Sequence, residues 1–527
     1  DRNRYRYRPK TPGISTPIPI PTPTPMETPS PYWNCRWLGC GRCPPCFPRL
    51  GKPGGRGFQA LEVAAGGGEV ESAGVRTRRG RGMLNAGFAN MKLEFACDRD
   101  RWELDVPDDA IVYASRYPAP AAPAAAQVGA ALDAPAGAPR LEEALRRRRP
   151  GKVCVVVSDI TRPIPYASFL PPMLARIEAA GVPRRDLLIL IGTGMHRPST
   201  AAERVEMFGA FVAANYAIAD HRADDPAELA DVPGRAWSGH PIRLNRHLVA
   251  AGFRLATGLV EPHFMAGFSG GRKAICPGCA ALDTVRRFHG AEFLDNPAAR
   301  NGNLDGNPLH LEALSVARAL GVDFTLNVVL DGARRVVAAF AGELESAHAA
   351  AVDFVRHCAC PTVEREADAA VTSSGGYPLD ATFYQCVKGF VSCLPAVRPG
   401  GAILAFGGCA EGVGSPEYRG AMERFPGPRW REFLGHIRRP GVFEKDQWQY
   451  QMHARALERV GLEGLTFVSP GLDAAAFAPL PVRGVPVARA AAREEVQRRV
   501  DAAAAAGRTL AVFPEGPYCA PVGAPRA

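Results

Sequence analysis

No run of about 18 apolar residues occurs in the 527-residue chain, so a membrane-spanning helix is not expected. The Arg-rich N-terminus has no apolar core of the kind a secretory leader needs, so none is expected there either. Neither G-x-S-x-G nor H-E-x-x-H is read in the chain, so a conventional hydrolase is not expected, and the GxxxxGK[ST] spacing of a Walker loop is missing. The 14 cysteines form no compact framework. Ten lie beyond residue 90, most inside apolar runs such as Val153-Cys154-Val155, which suits reduced, buried thiols in a cytoplasmic protein. A nucleic-acid surface also finds no support. The net charge is +10, but residues 1–90 hold 14 Lys or Arg against five Asp or Glu, and the rest of the chain is nearly balanced.

The residues that are present fall into three parts. Residues 1–90 are Pro/Thr-rich and then Gly-rich, a disordered or spurious extension with no strand or helix pattern. Its Cys35, Cys40, Cys43 and Cys46 have CxxC spacings without a second ligand cluster. From Met91 the pattern changes. Lys92 to Ala96 alternates as a strand does. An α/β alternation then begins: strands over Val153 to Val157, Leu187 to Ile191 and Phe253 to Val260, with helices from Ser168 and from the capping box Thr200/Glu203. A second run opens with strands at Phe324 to Leu330 and Arg335 to Phe340. It continues through a helix at Leu344 to His357 and strands at Ala369 to Ser373 and Ala402 to Phe406. A helix over Ala490 to Ala506 and a last strand at Thr509 to Phe513 close it. The expected fold is α/β: two α/β domains with Rossmann-like parallel sheets and the active site in the cleft between them. The boundaries are 91–360 and 361–500, with 501–527 returning to the first domain.

Polar residues cluster just past the carboxyl ends of these strands, where open α/β sheets place ligands. Asp159 and Arg162 follow the first strand. His196 follows the second and His263 the third, and histidine is the side chain suited to proton exchange near neutral pH. Phe268-Ser269-Gly270-Gly271-Arg272-Lys273 is a Gly-rich turn that could offer backbone N–H groups to a phosphate. Tyr384, Gln385 and Lys388 share one side of a helix start. Taken singly, each also reads as a surface turn, a core histidine or a local ion pair.

In order and spacing these pieces resemble one family, the nickel-pincer-dependent lactate racemases and their 2-hydroxy-acid racemase and epimerase relatives. The resemblance runs from about Met91 to the C-terminus. It rests on Ser-Asp-Ile-Thr-Arg-Pro-Ile-Pro at 158–165, Gly-Thr-Gly-Met-His-Arg-Pro-Ser-Thr at 192–200 and Glu-Pro-His-Phe-Met-Ala-Gly-Phe-Ser-Gly-Gly-Arg-Lys at 261–273. His-Gly-Ala-Glu-Phe at 289–293, Gly-Gly-Tyr-Pro-Leu-Asp at 375–380, Tyr384-Gln385-x-x-Lys388 and Asp446-Gln447-Trp448 complete it. The resemblance implies an isomerase whose cofactor is nickel in pyridinium-3,5-bisthiocarboxylic acid mononucleotide, attached covalently to Lys273. It implies His289 as the nickel ligand and His196 and His263 as the acid/base pair. Asp159, Gly270 and Gly271 would support the cofactor, and Arg162, Tyr384, Gln385, Lys388 and Trp448 would hold the substrate. The implied partners are a small 2-hydroxy acid, most simply lactate, and proteins that build the cofactor and insert nickel. Nucleic acid and membrane are not among them.

Two other readings stay open on the residues: a racemase or epimerase of a larger 2-hydroxy acid, and a non-catalytic carrier of the nickel cofactor. A carrier needs Lys273 and His289 but not both His196 and His263. Cys276 and Cys279 form a CxxC beside Lys273, either a redox pair or two small residues packed under a loop.

Overall fold

Val153 to Val157 is an unbroken apolar run, and all five residues are buried, as a strand covered on both faces requires. The computed structural model describes residues 90–523, which fall within one unit of contacts. The four cysteines of the 1–90 extension lie outside the described residues, as does all of that extension except Asn90.

Val153–Ser158 is central to a six-stranded sheet ordered Val336–Gly342, Phe324–Leu330, Phe253–Leu259, Val153–Ser158, Leu187–Gly192, Ala217–Asp220. Only the Val336–Gly342 edge runs antiparallel. Val153 pairs with both Leu187 and Phe253. That register brings the carboxyl ends Ser158, Gly192 and Leu259 out at one edge of the sheet. The capping box is present: Thr200 Oγ1 accepts from Glu203 N at 3.2 Å and Glu203 Oε2 from Thr200 N at 2.8 Å.

A second sheet is parallel throughout, ordered Arg483–Pro486, Leu465–Ser469, Val397–Phe406, Ala367–Ser373, Leu510–Phe513, Ile111–Val112. The α/β class with parallel sheets is therefore as expected. Among the described residues no helix is long and apolar enough to cross a membrane.

Several segments sit elsewhere than the sequence reading puts them. Phe324–Leu330 and Val336–Gly342, read as opening the second run though inside the 91–360 boundary, close the first sheet. The last long strand, expected to return to the first domain, lies in the second sheet between Ala367–Ser373 and Ile111–Val112. The N-terminal hairpin Asn90–Cys97/Asp100–Pro107 packs Leu93, Phe95, Trp102 and Leu104 against Phe406, Val468 and Val496 of the second layer, not the first. The helix expected from Ser168 begins at Tyr166, so Pro171 and Pro172 fall in its second turn. In each case the pattern marks which residues are buried. It carries no information about which sheet buries them, because both sheets demand the same apolar run.

Candidate active site

The loop after Val153–Ser158 turns back on itself, Arg162 N–H donating to Asp159 O at 3.1 Å. This holds Asp159 and Arg162 at the sheet edge. Asp159 is buried, and its two oxygens are taken by Thr161 Oγ1 at 2.7 Å and His196 Nδ1 at 2.6 Å. Burial pushes the Asp159 pKa up, but the His196 hydrogen bond and charge, with Thr161 and Arg162, outweigh it and the net shift is downward. An ionised Asp159 accepts the Nδ1 proton of His196. The His196 side chain is otherwise exposed, which leaves Nε2 for a substrate.

His263 is held differently. It is buried, and its Nδ1 faces the backbone N–H groups of Met265 and Ala266 at 3.3 and 3.2 Å. Both are donors, so the neutral ring carries its proton on Nε2. Its pKa lies well below the usual histidine value, first because of burial and then because of Lys273, Arg162, Lys388 and His289. Those causes also show which groups converge here.

Lys273 follows a turn that the sequence reading assigns to phosphate. The backbone at Gly270 has φ +87°, and a Cβ there would run into Val260 Cγ2 and reach Asn327 Oδ1 at 3.0 Å. Gly258 on the neighbouring strand would place a Cβ 2.8 Å from Gly270 Cα. The N–H of Gly271 donates to Asn327 Oδ1 at 2.8 Å, so this amide is occupied and does not face a phosphate in this conformation. The two glycines instead let turn and strand pack backbone to backbone. Residues 267–271 do spell G-x-S-x-G, contrary to the reading that the chain lacks it. The structure removes a hydrolase reading: Ser269 is buried, and its Oγ donates to Leu259 O at 2.7 Å and accepts from Glu261 N.

The Lys273 Nζ lies 4.9 Å from the centre of the Phe288 ring, next to His289. No carboxylate pairs with it among the described residues, and burial, then Arg162 and Arg272, hold its pKa well below the usual lysine value. His289 caps the helix Leu282–Phe288 and its Nδ1 donates to Val285 O at 2.9 Å. Burial takes its pKa down to about 3, so it stays neutral. A backbone acceptor on Nδ1 leaves Nε2 as the donor atom, the arrangement a metal-ligating imidazole needs.

The second sheet supplies the other wall. After Ala367–Ser373 the helix Phe383–Ser392 starts on a Thr382 cap and carries Tyr384, Gln385 and Lys388. Lys388 Nζ lies 5.8 Å from the Phe264 ring, and burial, then Arg162, bring its pKa down to about 8 against the opposing effect of Glu261. The Gln385 Oε1 is buried with no hydrogen-bond partner among the described residues. Trp448 donates from Nε1 to Tyr384 Oη at 2.9 Å, and its ring lies 4.5 Å from that of His289.

The structure thus gathers His196, His263, Lys273, His289, Arg162, Asp159, Lys388, Tyr384 and Trp448 around one region. Sequence reasoning missed Glu261, whose carboxylate lies 3.8 Å from Arg162 Nη1. It also missed Arg272, fully buried, which donates to Phe268 O at 3.1 Å and contacts His348 Nε2 at 2.7 Å. Glu261 and Arg272 both stand inside quoted motifs. Nothing local to the sequence links Arg272 to His348. Cys276 and Cys279 are fully buried, and burial pushes both thiols up. That fits packed residues better than a redox pair.

Known proteins resemble this chain in sequence and in fold. The family model described as Lactate racemase N-terminal domain matches residues 98–302, and that described as Lactate racemase C-terminal domain matches 362–506. A lactate racemase of Lactiplantibacillus plantarum is 35% identical over 329 residues, 62% of this chain and 76% of that protein. A lactate racemase of Thermoanaerobacterium thermosaccharolyticum is 36% identical over 331 residues, with the same shares covered. The lactate racemase apoprotein structure from the latter organism superposes with a TM-score of 0.73 at 29% identity, covering 82% of this chain and all of that one. A Thermotoga maritima protein with a TM-score of 0.54 and 18% identity shares the fold.

Proposed function

Because the chain belongs to the lactate racemase family, we propose that it is an isomerase interconverting D- and L-lactate with a nickel-pincer nucleotide attached to Lys273. The observation that carries this reading is the pairing of two histidines in one cleft with Lys273 and His289. A carrier of the cofactor has no use for His196 and its buried carboxylate partner.

The residues fit the group. Lys273 offers a buried amine, with no carboxylate partner among the described residues, for a covalent bond. His289 offers Nε2. Among the described residues no group of three or more His, Cys, Asp or Glu could hold a metal ion, so nickel on His289 would need further donors, which the nucleotide would supply; an imidazole suits Ni(II) as a ligand. When bound, the nucleotide supplies a hydride acceptor and donor.

The chain's own residues do the rest. Arg162 and Lys388 hold the substrate carboxylate by charge, and Gln385 reaches the substrate from the same helix as Lys388. His196 Nε2 takes the hydroxyl proton of one enantiomer, with Asp159 stabilising the imidazolium. Loss of the α-hydrogen as hydride leaves a planar 2-oxo acid and avoids the dianion that proton abstraction beside a carboxylate would create. His263 serves the opposite hand. Its exchange of protons at Nε2 requires a proton on Nδ1, so the two contacts to Met265 and Ala266 must open in that half of the reaction. The pocket lining outside these residues decides between lactate and a larger 2-hydroxy acid. Cofactor-building and nickel-insertion proteins are the partners this reading requires, and it places the enzyme in the cytoplasm with them.

Protein co-expressed with those maturation proteins and given optically pure D- or L-lactate tests the proposal. Optical rotation is expected to decay to zero from either side. Lys273→Ala is expected to lack the covalent adduct by intact mass and to leave rotation unchanged. His196→Ala and His263→Ala are each expected to keep the adduct and lose about 10²–10⁴-fold in rate. Loaded protein that leaves both enantiomers untouched would favour the carrier reading, and racemisation confined to bulkier hydroxy acids would favour the second alternative.

A further inference from the structure

His289 ends the helix Leu282–Phe288, and the chain continues from it through Gly290 into a helix of only five residues, Ala291–Asp295. Upstream, the ligand is tied to its own helix through Val285 O. Downstream, so short a helix cannot hold itself rigid, and its anchors come from the far side of the cleft. The helix Gln447–Gly464 presents Trp448, Gln451 and Arg455 on one stripe, at i, i+3 and i+7. Trp448 lies against the His289 ring. Gln451 is buried, and its Nε2 donates to Ala291 O at 3.1 Å and Asp295 Oδ1 at 2.9 Å. The Arg455 guanidinium donates to Leu294 O, to Asn296 O at 3.2 Å and to Ala299 O at 2.5 Å. Arg438 adds a bidentate pair to Asp295, both contacts at 2.8 Å. A cation over the last carbonyls of a helix is the favourable end for it.

We propose that Gln451 and Arg455 are positioning residues for the nickel ligand: they fix the segment after His289 from the opposite domain, so that Nε2 is held for the metal. The same helix reaches the substrate wall, with Trp448 Nε1–H on Tyr384 Oη and Gln449 Nε2 on Tyr384 O at 2.5 Å. One rigid element therefore sets ligand and substrate side chains in a common frame. Partners that orient a metal ligand are worth about 10- to 100-fold in metal affinity when removed.

This rests on the reading of His289 as the ligand, and the test separates the two. Cofactor-loaded wild type, Arg455→Met, Arg455→Lys, Gln451→Leu and His289→Ala are challenged with EDTA. Nickel released is followed against time, and the Lys273 adduct is counted by intact mass. Arg455→Met and Gln451→Leu are expected to carry the adduct at wild-type level and to lose nickel about 10-fold faster or more. Arg455→Lys, which keeps the charge but not the fork, is expected to fall between. If adduct and nickel fall together, the role is general folding and the proposal fails. If both clamp variants lose nickel at the wild-type rate while His289→Ala loses it rapidly, the clamp is refuted and the ligand reading stands. If His289→Ala holds nickel like the wild type, the ligand reading itself is wrong. Should Arg455→Met not fold, Arg455→Lys and Gln451→Leu carry the same comparison.

Discussion

Lys388 shows how burial turns an ordinary side chain into a pH-dependent one. Its pKa is brought down to about 8 by burial and by Arg162, with Glu261 pulling the other way. The protonated form is the one that attracts a carboxylate, and it is complete only below that pKa. As pH rises through 8 the cleft loses one of its cations, so KM for the hydroxy acid is expected to rise while kcat changes less. Substrate binding itself favours the charged form, which moves the limb upward in the complex. KM measured from pH 6.5 to 9.5 checks this. Lys388→Gln is expected to raise KM at neutral pH and to abolish the alkaline limb, whereas Lys388→Arg is expected to keep KM flat to higher pH, because a guanidinium stays charged. A KM limb unchanged in Lys388→Gln would assign it to another group.

At the scale of the element, the Gly-rich turn illustrates what sequence can and cannot disclose. The letters of Phe268 to Lys273 announce a tight turn beside a basic residue, and that is present. The Gly271 amide is spent on Asn327, and the turn is pressed against the strand Phe253–Leu259. Gly258→Ala would put a Cβ 2.8 Å from backbone atoms of Gly270 and Gly271, and Gly270→Ala adds a strained φ of +87° to its clash. Each is expected to destabilise by about 1–3 kcal/mol and, by shifting Lys273, to lower adduct occupancy. Calorimetry and intact mass measure the two effects. The rest of the site divides on the same line. Asp159, Arg162, His196 and His263 were legible because each ends an apolar run, and the sheet register then forces them together. Lys273, His289, Tyr384, Gln385 and Lys388 became legible through long motifs in order. Glu261, Arg272 with His348, and the Gln451/Arg455 clamp were not, because their meaning lies in contacts across 76 to 161 residues that no local period encodes.

At the scale of the whole molecule, chain order and spatial order part company, and this makes the C-terminus a structural part rather than a tail. The matched C-terminal family domain stops at residue 506, yet Leu510–Phe513 is an interior strand of the second sheet, hydrogen-bonded on one side to Ala367–Ser373 and on the other to Ile111–Val112. Leu510, Ala511, Val512 and Phe513 are at most 2% exposed. Beyond them Glu515 accepts from Ser115 N at 2.9 Å, and Val522–Gly523 pairs with Thr362–Val363. Burying the Leu, Val and Phe side chains contributes about 1.5–3 kcal/mol each, so roughly 5–9 kcal/mol leaves with the strand, as much as the net stability of many domains. Its removal also strands Ile111–Val112, which among the described residues has no other partner in the sheet, and bares the Ala367–Ser373 edge immediately before the loop that leads to Tyr384, Gln385 and Lys388. A chain ended at Ala506 is therefore expected to be insoluble, or to melt without a cooperative transition, although it contains the whole of both matched family domains. A chain ended at Gly523 is expected to melt like the full chain. Circular dichroism and thermal unfolding of the two truncations decide it. A cooperative, wild-type-like transition in the shorter chain would mean that the second sheet closes without its interior strand.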